Sequence, residues 1–127
     1  MASLNIQRGR DHGVPSYNTW REFCGLKRAS SWNDLNGVFT NETLQRYSSL
    51  YATVDDIDLW SAGVSERPSP GSMVGPTFGC IMGHTFRNLR FGDRFWYVNG
   101  GQPSSFTLGN FTSLDETTRT RCYLKII

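Results

Sequence analysis

Apolar residues recur at helical spacing in several separate stretches of the chain. Tyr17, Trp20 and Cys24 follow one another at steps of three and four residues, which indicates one buried face of a helix. Ser16 is a suitable N-terminal cap for this helix, and Gly25 is a suitable C-terminal stop. The pattern therefore predicts a helix between these two residues.

Three further helical segments are expected beside it. Residues 4–13 carry charges and two glycines and predict a short helical end that leads into a loop. A second helix is capped by Thr40 or Asn41, and its apolar stripe consists of Leu44, Tyr47 and Tyr51. Residues 55–60 predict a short helix with acidic residues at its start, because acidic side chains suit the positive end of the helix dipole.

The longest helix is predicted to begin at Pro76. Its apolar positions fall at i, i+3, i+4, i+8 and i+11, namely Phe78, Ile81, Met82, Phe86 and Leu89. Residues 95–97 are interpreted as an extension of this element beyond Gly92. Loops are predicted at 27–37, 66–75 and from Asn99 onward, with weak helical character at 107–120. The expected class is mainly α, with long loops and little or no β.

The amino-acid composition argues against several classes of protein. The chain has 127 residues, 38% of them hydrophobic and 13% aromatic, which argues against a disordered tail. We expect one domain or a piece of one, with no membrane span and no signal peptide in this chain. Thirteen basic residues against eleven acidic ones give a net charge of +2, too balanced to indicate a nucleic-acid surface. A small binder built on scattered arginines and aromatics is therefore disfavoured.

The cysteines and the glycosylation sequons bear on the cellular compartment. Cys24, Cys80 and Cys122 form no Cys-x-x-Cys pattern, so two would pair and the third would be free or have a partner outside this chain. Asn41 and Asn110 each begin an Asn-x-Thr sequon and are glycosylation candidates. Both features favour a secretory setting, the sequons only weakly.

Spacing rules alone do not reveal an active site. His12 lies beside Asp11 in a glycine-flanked loop and His84 on the longest helix, and neither belongs to a metal-binding pair. The acidic residues of 55–58 lack the further ligands and the glycine of a calcium loop. Nucleophile, phosphate-loop and dinucleotide motifs are absent from the sequence.

Four blocks of the sequence resemble one known family. They are residues 4–26 (LNIQRGRDHGVPSYNTWREFCGL), 56–66 (DIDLWSAGVSE), 74–83 (VGPTFGCIMG) and 86–97 (FRNLRFGDRFWY). These blocks, in this order, are similar to the animal haem peroxidases, the family of myeloperoxidase, thyroid peroxidase and peroxidasin. The resemblance spans residues 3 to about 106, and residues 109–127 match poorly, so we expect a partial peroxidase domain with family-like residues 1–106 and a divergent tail at 107–127.

The resemblance implies that this chain is the C-terminal portion of a larger, mainly helical catalytic domain. The distal His and Arg, the proximal His on iron, the acidic residues that can esterify haem and the calcium loop all lie upstream in the family. His12 matches the motif's Arg-Asp-His-Gly histidine, which the family does not use on iron. The expectation is therefore that this chain contains no catalytic residue and no metal ligand, and that the haem-ligating His lies outside it.

Supporting roles are implied for a few residues. Asn5 matches the family asparagine whose carbonyl accepts the N–H of the proximal histidine; the alternative is an asparagine that caps a helix or satisfies backbone groups. Arg8 matches an arginine close to a haem propionate; the alternative is a structural pair with Asp11 or another acid. Residues 10–12 are expected to form a buried polar cluster. Cys24 and Cys80 match a family disulfide, and Cys122 matches a cysteine whose partner lies further downstream.

The implied function is part of a haem-dependent peroxidase that reduces hydrogen peroxide while oxidising halide or organic donors, in oxidative biosynthesis or the response to oxidative stress. Its partners would be the upstream part of the domain, hydrogen peroxide and a small donor, and the full-length protein would be extracellular or in the secretory pathway. The isolated chain is expected to be inactive and poorly soluble, because the apolar faces of Trp20, Tyr47, Ile81 and Phe86 would lack packing partners. The alternative is a truncated, non-catalytic peroxidase-like binding module.

Overall fold

The computed structural model describes residues 1–103, 105–107 and 109, and it is helical. The five helices are α1 (Ala2–Asp11), α2 (Tyr17–Phe23), α3 (Asn41–Leu50), α4 (Leu59–Ser65) and α5 (Pro76–Gly92). Two 3₁₀ turns, Trp32–Leu35 and Val54–Asp56, lie in the connections. No β-strand occurs in the described part of the chain, so the prediction of a mainly α fold is confirmed. Asn110, Cys122 and most of the predicted 107–120 segment lie outside the described residues.

The first two helices end in the same way, at a glycine. Gly13 and Gly25 have φ of 63° and 71°, a left-handed conformation that glycine adopts without steric cost. After α2, the amides of Gly25 and Leu26 donate to the carbonyls of Glu22 and Arg21, which is the hydrogen-bonding pattern of a Schellman motif. The predicted stop at Gly25 is confirmed, whereas α1 is a full ten-residue helix rather than a short helical end.

The acidic segment at residues 55–60 does not form the predicted helix. The Asp56 carboxylate accepts hydrogen bonds from the amide and hydroxyl of Thr53, both at 2.8 Å, and so closes a 3₁₀ turn. The backbone is extended at Ile57 and Asp58, and α4 begins only at Leu59.

The predicted extension of the longest helix beyond Gly92 is also wrong. Asp93 accepts a hydrogen bond from the amide of Phe95 at 2.8 Å, and this local bond replaces helical bonding after Gly92. Residues 93–98 form turns instead.

The described chain divides into two compact units, residues 1–84 and the residues from Thr85 onward. In the first unit, the largest fully buried side chains include Tyr17, Leu35, Phe39 and Ile57. Tyr47 packs edge-on against Phe39 with ring centroids 5.4 Å apart, and its hydroxyl donates to the Ser61 carbonyl at 2.8 Å. The expectation that Tyr47 lacks packing partners in this chain is therefore wrong, because its ring packs on Phe39 and its hydroxyl is hydrogen-bonded.

The second unit contains aromatic contacts of its own. The rings of Trp96 and Tyr97 lie 4.9 Å apart, and Tyr97 meets Phe106 edge-on. The Arg94 guanidinium lies 4.5 Å from the centroid of the Phe95 ring, within the range of a cation–π contact.

A disulfide joins Cys24, at the end of α2, to Cys80 in α5, with Cα atoms 6.0 Å apart. It confirms the pairing that the family resemblance implies and fixes two helices that are separated by 56 residues. Within the described residues, no helix combines the length and the apolar character needed to cross a bilayer.

Candidate functional site

A cleft of about 230 Å³ lies where α1 meets the start of α4, and we call it the α1–α4 cleft. It is lined by Asn5, Ile6, Gly9, Val14, Asp58, Leu59, Trp60 and Phe78. Most of these side chains are apolar, so the two polar ones, Asn5 and Asp58, determine which groups the cleft can bind by hydrogen bonding.

Asn5 is half-buried in this cleft, and its side chain makes no hydrogen bond to any described residue. An amide side chain offers one acceptor oxygen and two donor hydrogens. Asn5 is therefore able to orient a polar group that enters from outside.

Arg8 lies almost one turn further along α1 and is exposed. Its guanidinium forms no ion pair with the acidic side chains of the described part of the chain. The alternative pair with Asp11 does not form, because Asp11 accepts instead from the Gln7 amide at 2.8 Å. Because Asn5 and Arg8 are three residues apart on α1, they lie at neighbouring positions of its surface.

Arg10, Asp11 and His12 do not form the predicted buried cluster, because all three are exposed. Arg10 instead binds Asp58 through two hydrogen bonds, of 2.9 Å from Nε and 2.7 Å from Nη2. Tyr51 donates to the same carboxylate at 2.9 Å. The pKa of Asp58 is lowered, chiefly by the hydrogen bond from Arg10 and to a smaller extent by the one from Tyr51. Both bonds stabilise the charged carboxylate.

The far wall of the cleft depends on a close contact between α4 and α5. A Cβ atom at Gly63 would overlap the ring of Phe78, so only glycine lets this ring lie against α4. Gly63 is buried, and Phe78 lines the cleft. Sequence reasoning identified Phe78 as an apolar helix position and missed the role of Gly63, which forms part of the family-like 56–66 block.

A buried carboxylate fixes the start of α5. Glu66 is 4% exposed and accepts from the Tyr17 hydroxyl at 2.7 Å, the Thr77 hydroxyl at 2.8 Å and the Thr77 amide at 2.9 Å. The Arg21 guanidinium lies 3.7 Å from the carboxylate and donates to the Tyr17 hydroxyl at 3.2 Å. Burial and the bond to Glu66 raise the pKa of Tyr17, so its hydroxyl stays protonated and donates.

This network was not predicted from the sequence. Residues 66–75 read as a polar loop because of their prolines, serines and glycines. The available signal was that Glu66 and Thr77 each lie in a family-like block, which marks them as candidates for a specific role.

The remaining sequence candidates lie apart from the cleft. His84 is exposed with its ring 5.5 Å from that of Phe23, and His12 is exposed at the end of α1. Among the described residues, no group of three or more His, Cys, Asp or Glu side chains is placed to hold a metal ion.

Comparison with known proteins places the chain in a family. The model of the animal haem peroxidase family matches residues 1–124. Thyroid peroxidase of Sus scrofa is 51% identical over 102 residues, which are 80% of this chain and 11% of that protein. Peroxidase skpo-1 of Caenorhabditis elegans is 47% identical over 118 residues, 93% of this chain and 18% of that protein.

A solved structure of a peroxidase has a similar fold. Peroxidase A from Dictyostelium discoideum superimposes with a TM-score of 0.67 at 41% identity, covering 77% of this chain and 19% of that one. The chain thus spans no more than 19% of any of these three relatives. It belongs to the animal haem peroxidase family.

Proposed function

We propose that this chain supplies proximal-side support to haem in a peroxidase that reduces hydrogen peroxide and oxidises halide or organic donors. The observation that carries the proposal is the free carboxamide of Asn5 at the wall of an apolar cleft. Haem, when bound, supplies the iron that reacts with peroxide and passes oxidising equivalents to the donor.

The residues of the cleft fit such a group. A porphyrin edge is largely apolar, and Ile6, Trp60 and Phe78 give the cleft an apolar lining against which such an edge would pack. The volume of the cleft, about 230 Å³, falls below the roughly 300–1,000 Å³ of complete small-molecule sites. The cleft is therefore suited to part of the group, with the remaining walls contributed from outside the described residues.

Asn5 and Arg8 have distinct roles in this proposal. The Asn5 oxygen accepts the N–H of the iron-ligating imidazole, which fixes the tautomer of that ring and makes it a stronger electron donor. The exposed Arg8 guanidinium, with no ionic partner among the described residues, pairs with a haem propionate, since its two parallel N–H groups match a carboxylate.

The catalytic groups come from the rest of the peroxidase domain, so the isolated chain is expected to be inactive. Exposed apolar side chains support the proposal that another part of the domain packs against this chain. Phe23 is 59% exposed, Met82 48% and Phe86 61%, and large exposed apolar areas mark interaction surfaces. We propose that the upstream part of the domain covers them, and that the separate chain is poorly soluble for the same reason.

The proposed setting of the full-length protein is extracellular or within the secretory pathway, in oxidative biosynthesis or the response to oxidative stress. The Cys24–Cys80 disulfide supports an oxidising compartment.

A non-catalytic, peroxidase-like binding module is the second candidate. Both candidates predict that the isolated chain with added haem turns over no peroxide. Peroxide turnover by the 127 residues alone would contradict the proposal that catalytic groups lie elsewhere.

The decisive experiment replaces the equivalent segment of Dictyostelium peroxidase A with this chain. We expect the chimera to bind haem with a Soret band and to turn over peroxide. Asn5→Leu should raise the reduction potential of the iron by removing the acceptor, and Asn5→Asp should lower it by strengthening the acceptor. Gln7→Leu, on the same helix but outside the cleft, is the matched control. Equal potentials in all four proteins would refute the role of Asn5, and a chimera that binds no haem would refute the function.

A further inference from the structure

We propose that Asn41 carries an N-linked glycan whose first sugar lies in a groove beside Trp32. Asn41 begins the sequon Asn41-Glu42-Thr43 and is the first residue of α3. It is exposed, and its carboxamide makes no hydrogen bond to a described residue. The nitrogen that would be modified is thus accessible in the folded chain.

The start of α3 does not depend on this carboxamide. The helix is capped by Thr40, whose hydroxyl oxygen accepts from the Thr43 amide at 3.2 Å. A side chain that served as the cap would lose stabilising hydrogen bonding on modification. Because the cap lies one residue earlier, a glycan at Asn41 leaves it intact.

A groove of about 340 Å³ lies next to the sequon, lined by Trp32, Asn36, Asn41, Leu44, Gln45 and Ser48. Trp32 is half-buried and packs on the hydrophobic core, so it is held in place. The apolar face of a pyranose ring stacks on indole, and side-chain amides and a hydroxyl supply partners for sugar hydroxyls. One aromatic ring with Asn36, Gln45 and Ser48 around it is suited to a single sugar.

The modification requires an oligosaccharide donor linked to a polyprenyl diphosphate. A bond forms between Asn41 Nδ2 and the anomeric carbon of the first sugar, and the bond from that carbon to the diphosphate oxygen breaks. The amide gives up one proton to a base, and the polyprenyl diphosphate leaves. No electron transfer is involved.

The site is relevant in the native protein only if the secretory location in the proposed function holds. The experiment removes that dependence by expressing the full chain behind a secretion leader in eukaryotic cells. A second sequon in an added flexible tag reports delivery to the lumen. A bare Asn41 on molecules whose tag is glycosylated overturns the site, whereas the peroxidase proposal is unaffected by this result.

Peptide mass spectrometry after enzymatic glycan release, in heavy-oxygen water, measures occupancy at Asn41. We expect occupancy in the wild type and in Thr43→Ser, which keeps the hydroxyl of the sequon, and its loss in Thr43→Ala and Asn41→Gln.

The groove is tested separately by the indole N–H signals of the four tryptophans in the secreted protein. Compared with the glycosylated wild type, Thr43→Ala, which lacks the glycan but keeps Asn41 uncharged, should shift the Trp32 signal and leave those of Trp20, Trp60 and Trp96 in place. Four unchanged signals would overturn the contact with Trp32.

Discussion

Arg10 and Asp58 join α1 to the residue that precedes α4 through two parallel hydrogen bonds, of 2.9 and 2.7 Å. Asp58 also lines the α1–α4 cleft together with Asn5. The pair therefore holds the helix that carries Asn5 at the position where its carboxamide reaches the cleft. Tyr51 donates a third hydrogen bond, to the same Oδ2 atom that accepts from Arg10 Nη2, and keeps the carboxylate in place.

Asp58→Asn should loosen α1 while leaving the rest of the fold intact. The Arg10 side chain is 59% exposed, so solvent weakens the pair and we expect a loss of about 1 kcal/mol. Backbone amides of α1 should then exchange with deuterium several-fold faster, while those of α3 keep their rates. Glu42→Gln, which removes the exposed pair with Arg46 on α3, is the matched control. Unchanged exchange in α1 would show that the pair does not position this helix.

Acid should have the same effect as Asp58→Asn. The pKa of Asp58 is lowered below its ordinary value of 3.8, chiefly by the hydrogen bond from Arg10. A group whose pKa is lowered by folding stabilises the native state above its unfolded pKa, and this stabilisation is lost as the pH falls through the folded pKa. The protection factors of the α1 amides, which correct for the intrinsic pH dependence of exchange, should therefore fall below pH 3.8 in the wild type. In Asp58→Asn this acid-dependent fall should be absent, and identical profiles of protection factor against pH in both proteins would contradict the assignment.

Glu66→Ala should be among the most destabilising single changes. It leaves the Tyr17 hydroxyl and the Thr77 amide and hydroxyl without their acceptor, and it leaves Arg21 buried without a counter-charge. Breaking a buried charged network by removing one partner costs about 3–5 kcal/mol. Urea denaturation followed by circular dichroism measures the loss.

Glu22→Ala is the control for that change, because Glu22 forms an exposed pair with Arg28. We expect it to cost no more than about 1 kcal/mol. Equal midpoints for the two variants would show that the buried network adds nothing to stability.

The helices were largely predictable because each depends on local features. Gly25 stops α2, Thr40 caps α3 and Pro76 begins α5, and each feature acts within a few residues of its position. The prediction of a helix at residues 55–60 was wrong because the same acidic residues suit both a helix start and a 3₁₀ turn. The hydrogen bond from the Thr53 amide to Asp56 favours the turn.

Residues of the site could be predicted only where they lie in a sequence motif shared with a known family. Asn5 and Arg8 came from the resemblance, since neither spacing nor composition distinguishes them from ordinary helix residues. The Arg10–Asp58 pair and the buried carboxylate of Glu66 join residues 48 or 49 positions apart. Such pairs depend on how the helices pack, which a single sequence does not specify.

Reduction of the Cys24–Cys80 disulfide should destabilise the chain substantially. The bond closes a loop across a separation of 56 residues, for which the chain-entropy model gives about 4 kcal/mol. We expect the double variant Cys24→Ala/Cys80→Ala to unfold at a correspondingly lower urea concentration and to be insensitive to reductant. A wild-type midpoint that is unchanged by reductant would contradict this estimate.

Gly63→Ala should disturb the cleft itself. The new Cβ atom overlaps the ring of Phe78, so either this ring or α4 must move, at a cost of about 1–3 kcal/mol. Gly79→Ala is the control, because a Cβ atom there has open space and alanine favours a helix by about 0.5–1 kcal/mol. Phe78→Leu should rescue Gly63→Ala in part, since a smaller side chain leaves room for the methyl group. Thermal unfolding of the single and double variants measures the coupling between the two positions, and strictly additive losses would mean that the two residues are not in contact.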